Sequence, residues 1–190
     1  MTLDELSFVE YSNQLNQALH STKLTDKLGE KLEFDKILNR LIEELSDKIR
    51  SRNSIYVIGN GGSTAIASHF CNDLVNLHSA AAYNLSDAAT LTCQSNDYGY
   101  ENAYARILKS FLKENDTVFL ISSSGMSQNI IRAANVAKNN LLITLTGFSN
   151  SNDLISEGDY NFFIDSKSYG FVEMSHQIIL HYIAERIAIA

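Results

Sequence analysis

The 190-residue chain contains no proline and no tryptophan, and only two cysteines. Without proline no helix stop, rigid turn or polyproline segment is enforced, so element boundaries rest on glycine, serine and charge. Cys71 and Cys93 form neither a C-x-x-C pair nor the dense set that staples small secreted domains, and both read as reduced thiols. Basic residues are in deficit, 15 Lys and Arg against 22 Asp and Glu, for a net charge of -7 scattered without a block. That field repels nucleic acid and anionic membrane, so a bound phosphate has to be held by local groups. No stretch reaches the roughly 18 apolar residues needed to cross a bilayer. The opening MTLDELSFVEYSNQLNQ lacks the basic and apolar regions of a signal peptide, which makes the cytoplasm the expected compartment.

What is present is a globular composition, 45% apolar and 19% charged. Nothing repeats at a fixed period and no Gly/Ser/Pro linker divides the chain, so one domain over residues 1–190 is expected. Apolar positions recur at helical spacing over 3–20 and 34–50, for example Ile37, Leu38, Leu41, Ile42 and Leu45. These are two N-terminal helices, filling residues 1–52, with the polar, Lys-rich stretch Ser21 to Lys31 between them. From residue 53 the grammar changes to that of an α/β core. SIYVIGNGGS is a β-branched run that stops at glycines and precedes a helical stretch from Thr64 to Leu77. DTVFLISSSGMSQNIIRAANVAKNN repeats the pattern, with a strand over Val118 to Ile121 and a helix over Ser127 to Ala137. AAAYNLS, Leu141 to Leu145 and Tyr160 to Ile164 complete five strands, and Phe171 to Ile189 is read as a long amphipathic helix. Continuously apolar strands alternating with helices predict a parallel five-stranded sheet covered on both faces, with ligands beyond the strands' carboxyl ends.

The segment ISSSGMSQN puts Ser122, Ser123, Ser124 and Ser127 around Gly125, between a buried strand and a helix N-terminus. Free backbone N–H groups, the positive end of the helix dipole and the hydroxyls attract an anion there with no Lys or Arg needed. A single serine in such a place commonly just caps the helix; four hydroxyls in six residues exceed what a cap requires. Gly59, Asn60, Gly61, Gly62 and Ser63 occupy the same place in the earlier unit. They match neither a P-loop nor the dinucleotide fingerprint, and the glycines alone are also explained by a tight turn.

His69 and Asp73 lie four apart and project from one face of the first crossover helix. Glu173, Gln177 and His181 are spaced by four on the last helix, with His176 three beyond Glu173. Should the two helices meet, two histidines and two carboxylates converge as metal ligands or as an acid/base set. Spacing alone leaves open the plainer reading, that each pair is a solvated hydrogen bond on its own helix.

GNGGS-x5-HF-x2-D, SND-x-G, SSSGMSQNII, LTG and E-x2-H-x4-H, taken in order over roughly residues 3 to 188, resemble the phosphoheptose isomerases of the sugar isomerase (SIS) family. The resemblance implies a flavodoxin-like sheet, a homotetramer with active sites between subunits, and interconversion of sedoheptulose 7-phosphate and D-glycero-D-manno-heptose 7-phosphate. Carried over by position, Ser122, Ser124 and Ser127 grip the phosphate with Asn60 and Ser63 beside Gly61 and Gly62, while Ser123 and Asp97 border the sugar. His69, Asp73, Glu173 and His181 become the zinc or catalytic cluster, with Asp73 or Glu173 as base and His181 as acid. Three positions depart from the family: Asp73 replaces a usual Glu, Glu173 a usual Gln, and Gly170 a usual Asp that contacts the sugar. Two non-catalytic SIS readings stand beside the enzyme. One is a replication-initiator-associating factor, which lacks the carboxylate at the Asp73 position and the histidine at the His181 position; the other is a sugar-phosphate sensor, which needs only the serine loop.

Overall fold

The computed structural model describes residues 6–188. In chain order its elements are α1 (Phe8–His20), β1 (Lys23–Thr25), α2 (Phe34–Arg50), β2 (Ser54–Gly59), α3 (Gly62–His78) and β3 (Ala81–Asn84). There follow α4 (Ala88–Tyr98), α5 (Tyr100–Phe111), β4 (Thr117–Ser122), α6 (Gln128–Ala137), β5 (Leu141–Gly147), β6 (Tyr160–Ile164) and α7 (Tyr169–Arg186). The first residues of the predicted opening helix, 3–5, and the predicted end at Ile189 lie outside the described residues.

The sheet order is β1-β6-β5-β4-β2-β3, with β1 antiparallel and every other neighbouring pair parallel. Five strands therefore follow the doubly wound order of a flavodoxin-like sheet, as expected. The sixth is a correction: β1 lies inside Ser21 to Lys31, which reads as a polar connector. It is three residues long with one buried apolar side chain, Leu24, opposite Phe162. So short a run has no measurable period, and pairing with β6 makes it a strand. α4 and α5 also have no counterpart in the expected elements. No residue of α4 is buried, so no apolar stripe announces it.

Alternation along the strands builds two cores. Ile55, Val57, Phe119, Ile121, Ile143 and Leu145 point to the layer of α2, α3 and α7. Tyr56, Ile58, Val118, Leu120 and Leu142 point to the layer of α5 and α6. Both faces of the central strands are covered, which is why their sequences are unbroken apolar runs. α7 departs from its expected amphipathic form. Val172, Ile179, Leu180 and Ile183 are buried, yet Met174, Ile178 and Tyr182 on its outer side are apolar and exposed.

α7 also carries the fully buried His176, whose Nε2 lies 3.1 Å from the Thr146 carbonyl and donates to it. Burial pushes this imidazole down from 6.5 to about 4. Between those values the unfolded chain binds a proton that the folded chain refuses, so stability falls as pH drops from 6.5 towards 4 and is flat in this respect above 6.5. The residue alone accounts for a loss on the order of 3 kcal/mol across that window. Urea midpoints at pH 7 and pH 4.5 test this: the acid-induced decrease is expected to shrink in His176→Asn, and an unchanged decrease would refute it.

Candidate active site

β2 and β4 are neighbours, but the chain leaves them on opposite faces, through α3 and α6 respectively. Their carboxyl ends diverge there and open a crevice, the switch point at which doubly wound sheets bind ligands. Both candidate loops lie in it. A cavity of about 150 Å³ is lined by Asn60 and Ser63 around the start of α3, Ser122, Ser123, Ser124 and Ser127 between the end of β4 and α6, and Tyr169 and Glu173 from α7.

Ser122 Oγ accepts from the Gly125 N–H and Ser124 Oγ from the Met126 N–H, both at 3.2 Å, which leaves each hydroxyl hydrogen free to be donated. Ser123 Oγ is buried with no hydrogen-bond partner among the described residues. Ser127 is the N-cap of α6, yet its side chain makes no capping bond. Capping therefore does not account for it. The first intrahelical donors of α6 are the Ile130 and Ile131 N–H groups, to the Ser127 carbonyl, so the Gln128 and Asn129 N–H groups have no acceptor within the helix. Gly125 has φ +63°, and a side chain there would run into Asn152. The loop thus folds back only with glycine, and it presents hydroxyls and N–H groups at the positive end of a helix.

Among the described residues no Lys or Arg lines the cavity, and the one charged residue in its lining is Glu173. That carboxylate lies at the start of α3, where a Cβ on Gly62 would stand 2.5 Å from Glu173 Oε1. Gly62 is required for the carboxylate to seat there, while Gly61, the N-cap with φ +54°, turns the chain into the helix. Asp97 is placed elsewhere: exposed near the end of α4, it accepts from Asn96 Nδ2 at 2.9 Å and does not line the cavity.

α3 and α7 run side by side in the same direction, with Gly62 against Glu173, Asp73 against His181 and His78 Nε2 2.7 Å from the Ala184 carbonyl. His181 Nδ1 is 3.1 Å from Asp73 Oδ2, His69 Nε2 is 3.6 Å from Asp73 Oδ1, and the two imidazoles stand edge to face at 4.7 Å. One ligand atom from each of the three residues lies within 4.8 Å of the others. Asp73 Oδ2 is buried without a properly aligned hydrogen bond, despite its approach to His181, and such an orphaned oxygen suits a cation. Of the four residues expected to cluster, three come together. Glu173 stands apart with the serines, eight residues before His181 and so about 12 Å along the helix axis.

Three contributors have no counterpart among the expected site residues: Asn129, Tyr100 and Tyr169. Asn129 and Asn60 exchange reciprocal amide hydrogen bonds of 2.9 Å across the crevice, and Tyr100 Oη donates to Asn60 Oδ1 at 2.7 Å. The signal for Asn129 was a polar residue at a helix position whose apolar neighbours are buried. Tyr169 gave none.

The SIS domain profile matches residues 18–147, which include both loops, His69 and Asp73. The chain belongs to the SIS-domain family. A phosphoheptose isomerase from Fusobacterium nucleatum is 31% identical over 172 residues, spanning 87% of this chain and 88% of that protein. One from Crocosphaera subtropica is 30% identical over 161 residues, spanning 81% and 82%. In fold, the SIS chain superimposes on a phosphoheptose isomerase from Neisseria gonorrhoeae with a TM-score of 0.82 and 22% identity, covering 98% of each.

The Asn60–Asn129 clamp joins the two loops of this SIS domain. Asn129→Leu leaves Asn60 Nδ2 unpaired in a part-buried place while Tyr100 still donates to Asn60 Oδ1, at an expected cost of about 1–3 kcal/mol in urea unfolding. Inorganic phosphate, titrated calorimetrically, is expected to bind about tenfold more weakly, equivalent to ~1.4 kcal/mol. Wild-type affinity in this variant would show that the clamp does not shape the anion seat.

Proposed function

We propose that this chain is an aldose–ketose isomerase of a sugar phosphate, and specifically that it interconverts sedoheptulose 7-phosphate and D-glycero-D-manno-heptose 7-phosphate, as a cytoplasmic step in heptose and lipopolysaccharide synthesis. The phosphoheptose isomerases to which it is similar support the reaction class. The observation that carries the reading is the coexistence, along α3 and α7, of a hydroxyl-lined pocket without basic side chains and a His–Asp–His group.

In this reading Ser122, Ser123, Ser124, Ser127, Asn60 and Ser63 hold the phosphate, and the sugar chain extends along α7 towards His181. An extended seven-carbon chain places its first carbon roughly 10 Å from phosphorus, the end-to-end reach of eight zigzag bonds of about 1.5 Å each. That matches the offset of about 12 Å between the levels of Glu173 and His181. A three-carbon phosphate falls short of the trio. Isomerisation moves a proton between adjacent carbons while the carbonyl oxygen gains one, so an acid and a base must stand together. Asp73 and His181 do so at 3.1 Å. Asp73 takes the proton from the carbon beside the carbonyl, His181 supplies one to the oxygen to give the enediol, and the reverse transfers at the neighbouring carbon complete the exchange. Glu173, on the pocket side, orients sugar hydroxyls.

His69, Asp73 and His181 fit a divalent cation such as zinc, through two imidazole nitrogens and a carboxylate oxygen that lacks a hydrogen bond. When bound it would polarise the substrate carbonyl. A homotetramer is the proposed assembly of this one-domain protein, supported by the exposed apolar residues Val75, Leu77, Met174, Ile178 and Tyr182 along α3 and α7.

Incubation of sedoheptulose 7-phosphate and shorter sugar phosphates in D₂O, followed by NMR, is expected to show aldose formation and deuterium at the carbon beside the carbonyl. Asp73→Asn and His181→Ala should each lower kcat by 10²–10⁴, and Glu173→Gln by much less. Spectra that stay unchanged across the whole panel, with phosphate still bound, would assign the chain to the binding or sensing role instead.

A further inference from the structure

The seat built for an anion already contains an anion of the chain's own. Glu173 is the one charged residue in the cavity lining, and among the described residues its carboxylate has neither an ion pair nor a hydrogen bond. The side chain is half-buried. A carboxylate in such a place gives up hydration, and with no partner in the protein it is left to be satisfied by a ligand.

Its position is fixed by the backbone around it. A Cβ on Gly62 would stand 2.5 and 2.7 Å from the two carboxylate oxygens, so a glycine as the first residue of α3 is what lets the carboxylate lie there. Residues on both sides of Glu173 tie α7 to the end of β5. A Cβ on Gly147 would lie 2.7 Å from Val172 Cγ2, and His176 Nε2 donates to the Thr146 carbonyl at 3.1 Å. Taken as a sphere, a cavity of about 150 Å³ is only about 7 Å across, so an anion among the serines feels Glu173 well inside the roughly 10 Å at which salt screens charge.

The lining therefore makes two different demands. The serine hydroxyls and the Gln128 and Asn129 N–H groups offer hydrogens, and Ser123 Oγ is buried without a partner. A carboxylate carries no hydrogen and only accepts. A ligand made of bare oxygens meets the donors but faces Glu173 with repulsion alone. A ligand with an anionic group and an O–H beside it meets both demands.

We propose that Glu173 is a specificity-determining residue, which admits oxyanions that bring a hydrogen-bond donor and turns away those that bring none. The inference rests on the reading of the cavity as a phosphate seat. In a sugar phosphate the donor is the hydroxyl on the carbon next to the ester carbon. Glu173 stands where such a hydroxyl passes, between the serines and the stretch of α7 that runs on to His181.

Calorimetric titrations at pH 8 and constant ionic strength test this with two pairs of dianions. Sulfate carries no proton there and inorganic phosphate carries one; ethyl phosphate has no hydroxyl and 2-hydroxyethyl phosphate has one next to the ester carbon. In wild type the donor-bearing member of each pair is expected to bind about tenfold more tightly, as a charge-assisted hydrogen bond replaces repulsion. In Glu173→Gln, whose amide donates as well as accepts, both differences are expected to shrink to within about twofold, through tighter sulfate and ethyl phosphate. Equal wild-type affinities within either pair overturn the inference, a comparison that needs no variant and stands even where Glu173→Gln does not fold. A folded Glu173→Gln protein that keeps either difference, or binds all four ions more weakly, also overturns it and makes the carboxylate a prop of the loop. Wild type and variant that bind none of the four overturn the phosphate seat itself.

Discussion

The parallel pairing of β2 with β4, register Ile55↔Thr117 to Gly59↔Ile121, is the constraint on which the site depends. α3 packs on one face and α6 on the other, so no crossover covers the gap between the two strand ends. Two helix N-termini consequently open onto one crevice, and their unpaired N–H groups and dipoles add there. The buried strands beneath keep the geometry rigid, and the Asn60–Asn129 amides hold the loops at a set distance. An anion can be bound in a chain of net charge -7 because the attraction is local, at contact range, whereas the opposing field of the surface carboxylates is screened within about 10 Å.

The same packing sets where chemistry can occur. α3 and α7 run parallel, which makes them a scale along which groups are placed. Glu173 against Gly62 marks the pocket, and Asp73 against His181 marks a point two helical turns further on. α3 alone brings His69 to Asp73, and only the packing of α7 adds His181 at 3.1 Å. His69 and Asp73 come from a sheet crossover and His181 from the last helix, so the trio exists only in the folded protein. The shorter Asp73 arm is compatible with this arrangement, because the helices approach closely enough for its oxygens to reach both imidazoles.

Legibility in the sequence followed the strength of local patterns. β6 lies over the predicted Tyr160–Ile164, and β2, β4 and β5 appear where apolar runs end in glycine or serine, because strands buried on both faces have no polar positions to blur them. The serine and glycine loops were legible as well, since strand-to-helix turns have a distinct chemistry. β1 was hidden, because three residues carry no period and its partner lies far along the chain. α4 is hidden because an unburied helix has no stripe, and α7 is less amphipathic than its spacing suggests because residues such as Ile178 and Tyr182 are apolar yet face outward. In the site, same-helix spacing correctly grouped His69 with Asp73, but it could not show that Glu173 faces the serines while His181 faces Asp73. Spacing along one helix cannot reveal what a parallel neighbour presents at each turn.

The central claim is that a seat of hydroxyls and amides at the β2/β4 switch point, with no Lys or Arg in its lining, holds phosphate. Titration of ¹⁵N-labelled protein with inorganic phosphate, followed residue by residue through amide chemical shifts, tests it most directly. The largest changes are expected at Ser123, Ser124, Ser127, Gln128 and Asn129, with smaller ones at Gly61 and Gly62. Changes confined to lysine- and arginine-bearing surfaces, with the serine loop unmoved at saturation, would contradict the account.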